Sequence, residues 1–473
     1  MISTPLIWIV APVVVSLVLM AFSNRHKTTL WIACIASLIF SIGAFTFPQD
    51  LVLHLFGQRF EIASILLIFN RVIKIEGSNL TLVGLLFSIN LMWNLLSWRF
   101  EISHWFSALS FLITPLWILA LSVEPFLYAA VIVEVISLVT VPILTPKSRV
   151  AQDGLRRYLI LQTLAMTLVL LSGWMLTGIS TAPADDPLVL RAAMMVFFGF
   201  LLWLAIFPLH SWVSMLAIES HPWVVSFMLS LRQSALIVYL LYFFDRYAWL
   251  RSLPGLFENL QWVGVLLIAI GGLLSAIQTN LRRQITYTYT METGFSLLAI
   301  GLSSRGGLSY LVMLFIPRLM AYWLRSFALA EFMHLNNQEK VDMETTRGLI
   351  HRFPAIAVAY LVSLLSLMGM PLFASFPAQR MLLNLIPIPS IWMLLLTFLG
   401  FLGNALYFFR VLRNFIHHEE KPALTEPVQE TISTYFFVAI GILAIMFIGI
   451  LPHLILPYFL KLLAPFEQLL LLP

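Results

Sequence analysis

Glu134 has an unusual place in this sequence, because it lies in the middle of an apolar segment that reads LYAAVIVEVISLVTVPIL. A carboxylate in the centre of a bilayer costs several kcal/mol unless it is paired or hydrated, and such residues commonly mark proton or ion pathways. We therefore interpret Glu134 as a group that could bind and release a proton. The alternative is a glutamate that pairs with an arginine and only joins neighbouring helices.

Two histidines follow the proline of a second apolar segment. His210 and His221 flank the stretch HSWVSMLAIESH, and Glu219 lies between them. Imidazole titrates near physiological pH and suits proton relay. The alternative is that both rings cap helix ends and bond to free carbonyl groups. Their spacing of eleven residues is not that of a helical pair of zinc ligands, so the sequence predicts no zinc site.

A third group of residues combines one glutamate with arginines. Glu292 lies in YTYTMETG, where the hydroxyl side chains predict contact with water; the alternative is a first helical turn at the interface, stabilised by the acid. Arg232, Arg318 and Arg325 fall within apolar segments. Because arginine keeps its proton in proteins, these residues could only neutralise a carboxylate, such as Glu292 or Glu331, or hold helices together.

The elements that must position these residues are long apolar segments. Of 473 residues, 60% are hydrophobic and only 10% are charged, whereas a soluble domain carries roughly 25% charged residues. About fourteen runs are long enough to cross a bilayer. They lie near 4–22, 30–47, 79–97, 105–122, 124–144, 158–178, 190–209, 222–243, 259–277, 285–302, 307–331, 354–371, 390–414 and 433–457. The sequence predicts an all-α polytopic membrane protein with about fourteen transmembrane helices.

Two of these segments are interrupted at corresponding places in the two halves of the chain. Pro208 interrupts the first, and Gly369, Pro371 and Pro377 interrupt the second. Free backbone groups at such breaks are tolerated only inside protein or beside water, and paired breaks are typical of inverted-repeat transporters. We therefore expect two inverted repeats, each with a broken helix. The predicted division is N-terminal helices at 1–104, a first repeat at 105–252, a second at 253–420, and a C-terminal helix and tail at 421–473.

Charge and cysteine content exclude several classes of protein. The net charge is only +5 and no basic cluster is interleaved with aromatic residues, so we expect no nucleic-acid partner. The single cysteine, Cys34, excludes a disulfide framework. Loops after the odd-numbered segments hold 15 Lys and Arg residues against 9 on the opposite side. The positive-inside rule then predicts that both termini lie on the non-cytoplasmic side.

Four stretches together resemble the antiporter-like membrane subunits of respiratory complex I, and the related subunits of membrane-bound hydrogenases and Mrp-type sodium/proton antiporters. They are VEVISL around Glu134, and residues 206–222, 280–302 and 365–383. The resemblance implies a proton path with candidates Glu134, His210, Glu219, His221 and Glu292, and charge-tuning arginines at Arg232, Arg318, Arg325 and Arg380. It also implies a multi-subunit complex in an energy-transducing membrane, bacterial or thylakoid-type, with protons or sodium as the ions.

The same resemblance implies no cofactor on this chain, with flavin, iron–sulfur clusters and quinone on partner subunits. The sequence departs from the family where lysines are usual: Trp203, a position near Ala235, and Gln379 occupy three such places, and no lysine occurs between 148 and 339. We therefore expect a diverged subunit of a redox-linked, proton-translocating complex resembling NADH-quinone oxidoreductase, with degenerate pumping as one form of that divergence. The alternatives are an Mrp-type cation/proton antiporter subunit and a non-pumping scaffold subunit.

Overall fold

The computed structural model describes residues 3–48, 51–55, 58–68, 70–145, 153–176, 187–337, 340–387, 390–417 and 429–470, and these are predominantly helical. The basic residues Lys147, Arg149 and Lys421, which were counted toward the orientation, lie outside the described residues. The helices of the first half are α1 Ala11–Ala21, α2 His26–Thr46, α3 Leu80–Asn94, α4 Phe106–Ser122, α5 Ala129–Leu144, α6 Asp153–Leu176, α7 Pro187–Trp203, α8 Ser211–Glu219 and α9 Pro222–Arg246.

The second half continues the helical pattern. Its helices are α10 Ala248–Arg251, α11 Leu256–Ile277, α12 Gln284–Gly301, α13 Gly307–Asn336, α14 Leu349–Arg352, α15 Pro354–Leu367, α16 Phe376–Asn384, α17 Ile391–Ile416, α18 Ile432–Ile450, α19 Pro452–Leu460 and α20 Glu467–Leu470. Within the described ranges, nine helices are long and apolar enough to cross a membrane, and five shorter ones are apolar. The predicted all-α membrane fold is confirmed, whereas the count of fourteen and the inverted repeats remain predictions.

Short strands between α2 and α3 were not anticipated from the sequence. β1 Val52–Leu55 pairs with β2 Gln58–Glu61 in one antiparallel hairpin. β3 Ile65–Ile68, β4 Arg71–Lys74 and β5 Val123–Glu124 form a second antiparallel sheet in that order. Each strand is too short to give a clear alternating pattern, which explains why the sequence did not reveal them.

The chain divides into two compact units. The first comprises residues 1–204, 231–254 and 461–469, and it contains α1 to α7, both hairpins and most of α9. Its core includes many aromatic rings, such as Phe126 and Tyr239 with ring centres 4.6 Å apart. The second comprises residues 205–230, 255–460 and 470–473. The predicted division of the chain into four segments stays a prediction.

Glycines bring three helices of the second unit into close contact. A Cβ atom added at Gly272 of α11 would lie 1.9 Å from the carbonyl oxygen of Gly400 on α17. One added at Gly264 would lie 2.6 Å from the backbone nitrogen of Leu298 on α12. Small residues allow helix backbones to approach closely in membranes. The result is that α12 is enclosed, with every one of its residues buried.

Both interruptions predicted from the sequence are present as breaks between helices. α7 ends at Trp203 and α8 begins at Ser211, and α15 ends at Leu367 before α16 begins at Phe376. Each break contains a non-glycine residue with positive φ, Ala205 at 52° and Leu372 at 76°. Pro377 lies in the first turn of α16, where proline is tolerated. It therefore starts a helix and does not interrupt one, unlike the sequence expectation.

Candidate functional site

Glu134 lies on α5 and is only partly buried. Its Oε1 atom accepts a hydrogen bond of 2.6 Å from the Thr163 hydroxyl of α6. Its Oε2 atom has no hydrogen-bond partner among the residues that the structure describes. Of its neighbours three or four residues away on α5, Val131 and Leu138 are 41% and 53% exposed, whereas Ala130 and Ser137 are buried. Glu134 therefore lies at the border between the interior of the first unit and an apolar surface.

Arg232 of α9 is buried in the same unit and bonds to Ser137, which lies one helical turn along α5 from Glu134. Its Nη1 atom donates to the Ser137 hydroxyl at 3.4 Å, and its Nη2 atom donates to Oε1 of Gln162. The guanidinium also lies 5.7 Å from the ring centre of Tyr158. Uncharged side chains on α5 and α6 thus bond to this cation, and its charge-tuning role stays a prediction.

The second unit contains a row of polar side chains on α12. Gln284, Thr288, Glu292 and Ser296 follow one another at intervals of four residues and so share one helix face. All four are buried. Glu292 lies near the middle of α12 and is 1% exposed, so it does not occupy an interfacial first turn, which was one of the two sequence interpretations.

Arg318 of α13 binds the C-terminal part of this row, Glu292 and Ser296. Its Nε atom lies 2.9 Å from Oε2 of Glu292, and both side chains are 1% exposed. Its Nη2 atom donates to the Glu292 carbonyl oxygen at 2.9 Å and to the Ser296 hydroxyl at 3.0 Å. The sequence offered Glu292 or Glu331 as a partner for the arginines, and the structure brings Glu292 and Arg318 together. This is a buried ion pair with additional hydrogen bonds, although Oε1 of Glu292 and Nη1 of Arg318 are buried without a partner in the described structure.

Arg325, seven residues after Arg318 on α13, binds the N-terminal part of the same row, Gln284 and Thr288. Its Nη1 atom donates to the Thr288 hydroxyl at 3.0 Å and to Oε1 of Gln284. Gln284 in turn donates to Ser275 at 3.0 Å. The Nε and Nη2 atoms of Arg325 have no partner within the described part of the chain. Buried polar atoms of this kind are ordinarily completed by water, so this cluster fits a hydrated interior.

Glu331, the other carboxylate offered by the sequence, lies near the end of α13 and is 1% exposed. It accepts a hydrogen bond of 2.8 Å from the Thr434 hydroxyl of α18. This contact joins two long helices of the second unit.

The histidines near the first break have largely apolar surroundings. The His210 ring stacks on Phe207, with centres 5.3 Å apart. Burial lowers the pKa of His210, a hydrogen bond with Pro208 opposes that change, and the Arg283 charge adds to it. His221 accepts a hydrogen bond of 3.3 Å from the Trp223 amide on Nδ1. Burial, followed by the charge of Arg282, lowers the pKa of His221. Both rings therefore favour the neutral form near pH 7.

Two arginines that were not among the candidate residues from the sequence, Arg282 and Arg283, bond to α8. Arg282 is 7% exposed, and its guanidinium donates to the carbonyl oxygens of Ala217 at 3.2 Å and Ser220 at 2.6 Å. Arg283 donates to the Ser214 hydroxyl. A cation at a helix C-terminus bonds the free carbonyl groups and complements the helix dipole. Glu219, also a sequence candidate, is partly buried as the last residue of α8.

Gln379 closes the end of α15 at the second break. Its side-chain nitrogen donates to the Leu367 carbonyl oxygen at 3.1 Å, and the residue is 2% exposed. Arg380 follows it on α16 and is exposed. The family resemblance implies a lysine at the position of Gln379. In this chain a neutral amide occupies that position and caps the Leu367 carbonyl oxygen.

No group of three or more His, Cys, Asp or Glu side chains within the described ranges is arranged to hold a metal ion. The free thiol of Cys34 is buried in the first unit. The titratable and charged groups described above are a partly buried glutamate in the first unit and a buried glutamate–arginine cluster in the second.

Comparison with known proteins places this geometry in a family. A model described as NADH:quinone oxidoreductase/Mrp antiporter, TM, matches residues 155–403, which is more than half of the chain. The NADH-quinone oxidoreductase subunit N 1 of Herpetosiphon aurantiacus is 26% identical over 297 residues, covering 60% of this chain and 57% of that protein. Subunit N of Deinococcus radiodurans is 26% identical over 276 residues, covering 58% and 55%. The chain spans about half the length of the curated relatives it matches.

Solved structures share the fold. A chain of respiratory complex I from Thermus thermophilus with bound Aureothin is 21% identical, with a TM-score of 0.71 and coverage of 94% of this chain and 98% of that chain. A chain of the Mrp complex from Dietzia is 16% identical, with a TM-score of 0.80 and coverage of 98% and 99%. These similarities and the apolar helices confirm an integral, multi-pass membrane protein. The chain belongs to the NADH:quinone oxidoreductase/Mrp antiporter family of transmembrane proteins.

Proposed function

We propose that this chain is a membrane subunit of a redox-linked, proton-translocating complex resembling NADH-quinone oxidoreductase, and that Glu134 is its proton-carrying group. The observation that carries the proposal is the place of Glu134. It lies partly buried at the border between the interior of the first unit and an apolar surface. Its Oε2 atom is buried without a hydrogen-bond partner in the described structure, and a carboxyl group left so within the membrane is costly. A neighbouring membrane subunit that covers this surface would remove the cost and could exchange protons with Glu134.

The immediate surroundings of Glu134 suit proton exchange. Thr163 holds one carboxyl oxygen at 2.6 Å, and the other has no partner in the described structure. That oxygen can accept a proton without breaking a contact. Arg232, which donates to Ser137 one turn away, supplies a fixed positive charge that moves no proton.

The second unit supports a different role. Glu292 is bonded directly to Arg318, and Arg325 is bonded to neutral side chains. Unlike lysines, these arginines keep their charge throughout a cycle. We therefore propose that this cluster is a permanent electrostatic and structural element, and that proton translocation through this chain is degenerate relative to a subunit with titrating lysines. His210, Glu219 and His221 then remain secondary candidates for a path, and Arg380 for charge tuning.

The proposal extends to partners and location. Other membrane subunits would surround the chain, and flavin, iron–sulfur clusters and quinone would be carried by partner subunits. The membrane would be an energy-transducing one, bacterial or thylakoid-type, with both termini on the non-cytoplasmic side. Protons are the proposed ion, and no nucleic-acid partner is expected.

Purification of the native complex through a tag on this chain tests the assignment. Membranes are extracted with a mild detergent, and the subunits that co-purify are identified by mass spectrometry. Recovery of flavin-, iron–sulfur- and quinone-binding subunits in fixed stoichiometry is the expected result. Recovery of only small membrane subunits, or of this chain alone, would contradict it.

An Mrp-type cation/proton antiporter subunit is the second candidate, because the Dietzia Mrp chain superimposes with a TM-score of 0.80. The same purification separates the two proposals, since an Mrp-type assembly would bring no redox subunits. A sodium-dependent pH change in sealed vesicles without electron donor would then be expected.

A further inference from the structure

A cavity of about 720 Å³ opens on the first unit where β4, β5 and the C-terminal end of α9 meet. It is a shallow depression that is largely open to its surroundings, so a ligand there would be covered on one side only. Lys74 of β4 and Arg246 of α9 contribute its positive charges, and Glu124 of β5 contributes a negative charge. None of these residues takes part in the clusters around Glu134 and Glu292.

The two cations are held in fixed positions but keep unused donors. Arg246 forms an ion pair of 3.1 Å with Glu124, and its guanidinium lies 4.8 Å from the ring centre of Phe126. Lys74 forms an ion pair of 2.5 Å with Glu76. A guanidinium has five N–H donors and an ammonium has three, so each can bind a further acceptor.

The charges around the cavity leave an excess of one positive charge. Besides the two cations that line it, Arg71 lies over the Tyr128 ring at 3.9 Å, and Arg251 donates to the Phe244 carbonyl oxygen at 2.7 Å. Three carboxylates are close to these cations: Glu76 pairs with Lys74, Glu124 pairs with Arg246, and Asp245 lies near Arg246 and Arg251. Of the three, Asp245 accepts a hydrogen bond from the Leu469 amide at 3.0 Å. A ligand with one negative charge would balance the site.

The position of the cavity corresponds to the headgroup layer of a membrane. Arg246 is the last residue of the 25-residue helix α9, which is long enough to span the hydrocarbon core. Aromatic side chains cluster at this end of the helix, with Tyr247 and Trp249 ring centres 5.9 Å apart. Tyrosine and tryptophan are enriched at the membrane–water interface.

An apolar surface adjoins the cavity on the same face of the sheet. Ile65 and Leu67 of β3 are opposite Lys74 and Val72 of β4, and cross-strand partners share a face. Leu67 is 70% exposed and Ile65 is 46% exposed. A ligand that fills the cavity and covers these side chains must therefore join a charged group to an apolar one.

We propose that this cavity binds the phosphate headgroup of a membrane phospholipid, with the phosphate on Lys74 and Arg246 and the glycerol and first acyl carbons over Ile65 and Leu67. A singly charged lipid such as phosphatidylglycerol matches the charge excess. Free phosphate would satisfy the cations but leave the apolar surface uncovered.

Native mass spectrometry of the purified complex tests the proposal. The variants are Lys74→Gln, Arg246→Gln and both together, and the control is Arg191→Gln, at an exposed arginine on α7 outside the cavity. After delipidation and addition of phosphatidylglycerol, we expect bound lipid to decrease about fivefold for each cation removed, since one basic side chain near a membrane contributes roughly 1 kcal/mol. The control should bind as the parent protein does. Equal binding by the parent and the double variant would overturn the proposal.

Two further comparisons identify the ligand. Leu67→Gln should weaken binding of phosphatidylglycerol and leave any effect of inorganic phosphate on thermal stability unchanged. Stabilisation by inorganic phosphate equal to that by the lipid would instead assign the cavity to free phosphate. A photoreactive side chain introduced at Asn70, which lines the cavity, should cross-link to lipid. Cross-linking to a partner subunit would show that a protein covers the site, and would also overturn the proposal.

Discussion

The regions around Glu134 and Glu292 use the same types of side chain in different surroundings. Each has one glutamate on a helix, an arginine on another helix and neutral polar side chains that bond to one or both of them. Glu134 is partly buried beside an apolar surface and bonded to a threonine, whereas Glu292 is enclosed and bonded directly to Arg318. The first carboxyl group has no arginine bonded to it in the described structure and lies beside a surface that we propose a neighbour covers, and the second is paired with an arginine within its own unit.

This difference shows why a buried charge alone does not identify a transport residue. An enclosed ion pair with several hydrogen bonds can hold helices together, and its removal is expected to affect stability before function. A carboxyl group at a surface that must be covered by another subunit is expected to behave in the opposite way. Substitutions in the two regions should therefore separate loss of stability from loss of proton transfer.

The largest expected effect on stability comes from breaking the Glu292–Arg318 pair. Arg318→Gln leaves the Glu292 carboxylate buried without its cation, which typically costs about 3–5 kcal/mol. The measurement is the unfolding midpoint of the purified protein in detergent. Glu292→Gln combined with Arg318→Gln removes both charges, so the double variant should be more stable than Arg318→Gln alone. A single variant as stable as the parent protein would contradict a structural role for the pair.

Arg325→Gln should have the next largest effect. It removes the donor to Thr288 and Gln284 but leaves no carboxylate behind, so the expected cost is about 1–3 kcal/mol. The control is Arg380→Gln, at an exposed position, where a change within about 0.5 kcal/mol is expected. The same unfolding midpoints provide the comparison, and an Arg325→Gln cost as small as that of the control would count against the buried cluster.

Several features of this comparison could be predicted from the sequence. The central position of Glu134 in its apolar run predicted that it lies in a membrane-spanning helix. The seven-residue spacing of Arg318 and Arg325 predicted that they share one helix face. The breaks followed from Pro208, Gly369 and Pro371, because helices cannot continue through such residues without losing hydrogen bonds. Each of these features depends on residues that are close together in the chain.

Other features depend on contacts between distant segments and could not be predicted. The choice of Glu292 over Glu331 as the partner of Arg318 follows from how α12 packs against α13. The capping of α8 by Arg282 joins residues more than sixty positions apart. The strands between α2 and α3 were missed because they are only four residues long.

Thr163→Val tests the region around Glu134. It removes the hydroxyl that bonds Glu134, and because the site is partly exposed, the stability cost should be about 1 kcal/mol or less. Proton translocation by the complex should decrease without being abolished. Thr167→Val is a matched control one turn along α6, since its hydroxyl bonds only to the Thr163 carbonyl oxygen in the described structure. Equal translocation by the two variants would show that the Thr163 contact does not position Glu134.

The smallest expected effect concerns pH and His221. Its pKa is lowered in the folded protein, so the unfolded chain binds the proton more readily, and stability should fall as the pH drops below about 6.5. Protonation of Nδ1 would also remove the acceptor for the Trp223 amide. His221→Asn provides an acceptor that does not titrate in this range. Unfolding midpoints between pH 5 and 7.5 should decline less in the variant, and identical declines would show that His221 is not responsible.

Proton translocation by the Glu134→Gln variant tests the central claim most directly. The purified complex is reconstituted into sealed vesicles, and protons moved are measured against electrons transferred. Glu258→Gln is the control, because Glu258 is exposed in the first turn of α11. If Glu134 carries protons, the variant retains electron transfer and assembly but moves fewer protons per electron, and the control matches the parent protein. An unchanged ratio in Glu134→Gln would contradict the account and leave this chain as a non-pumping scaffold.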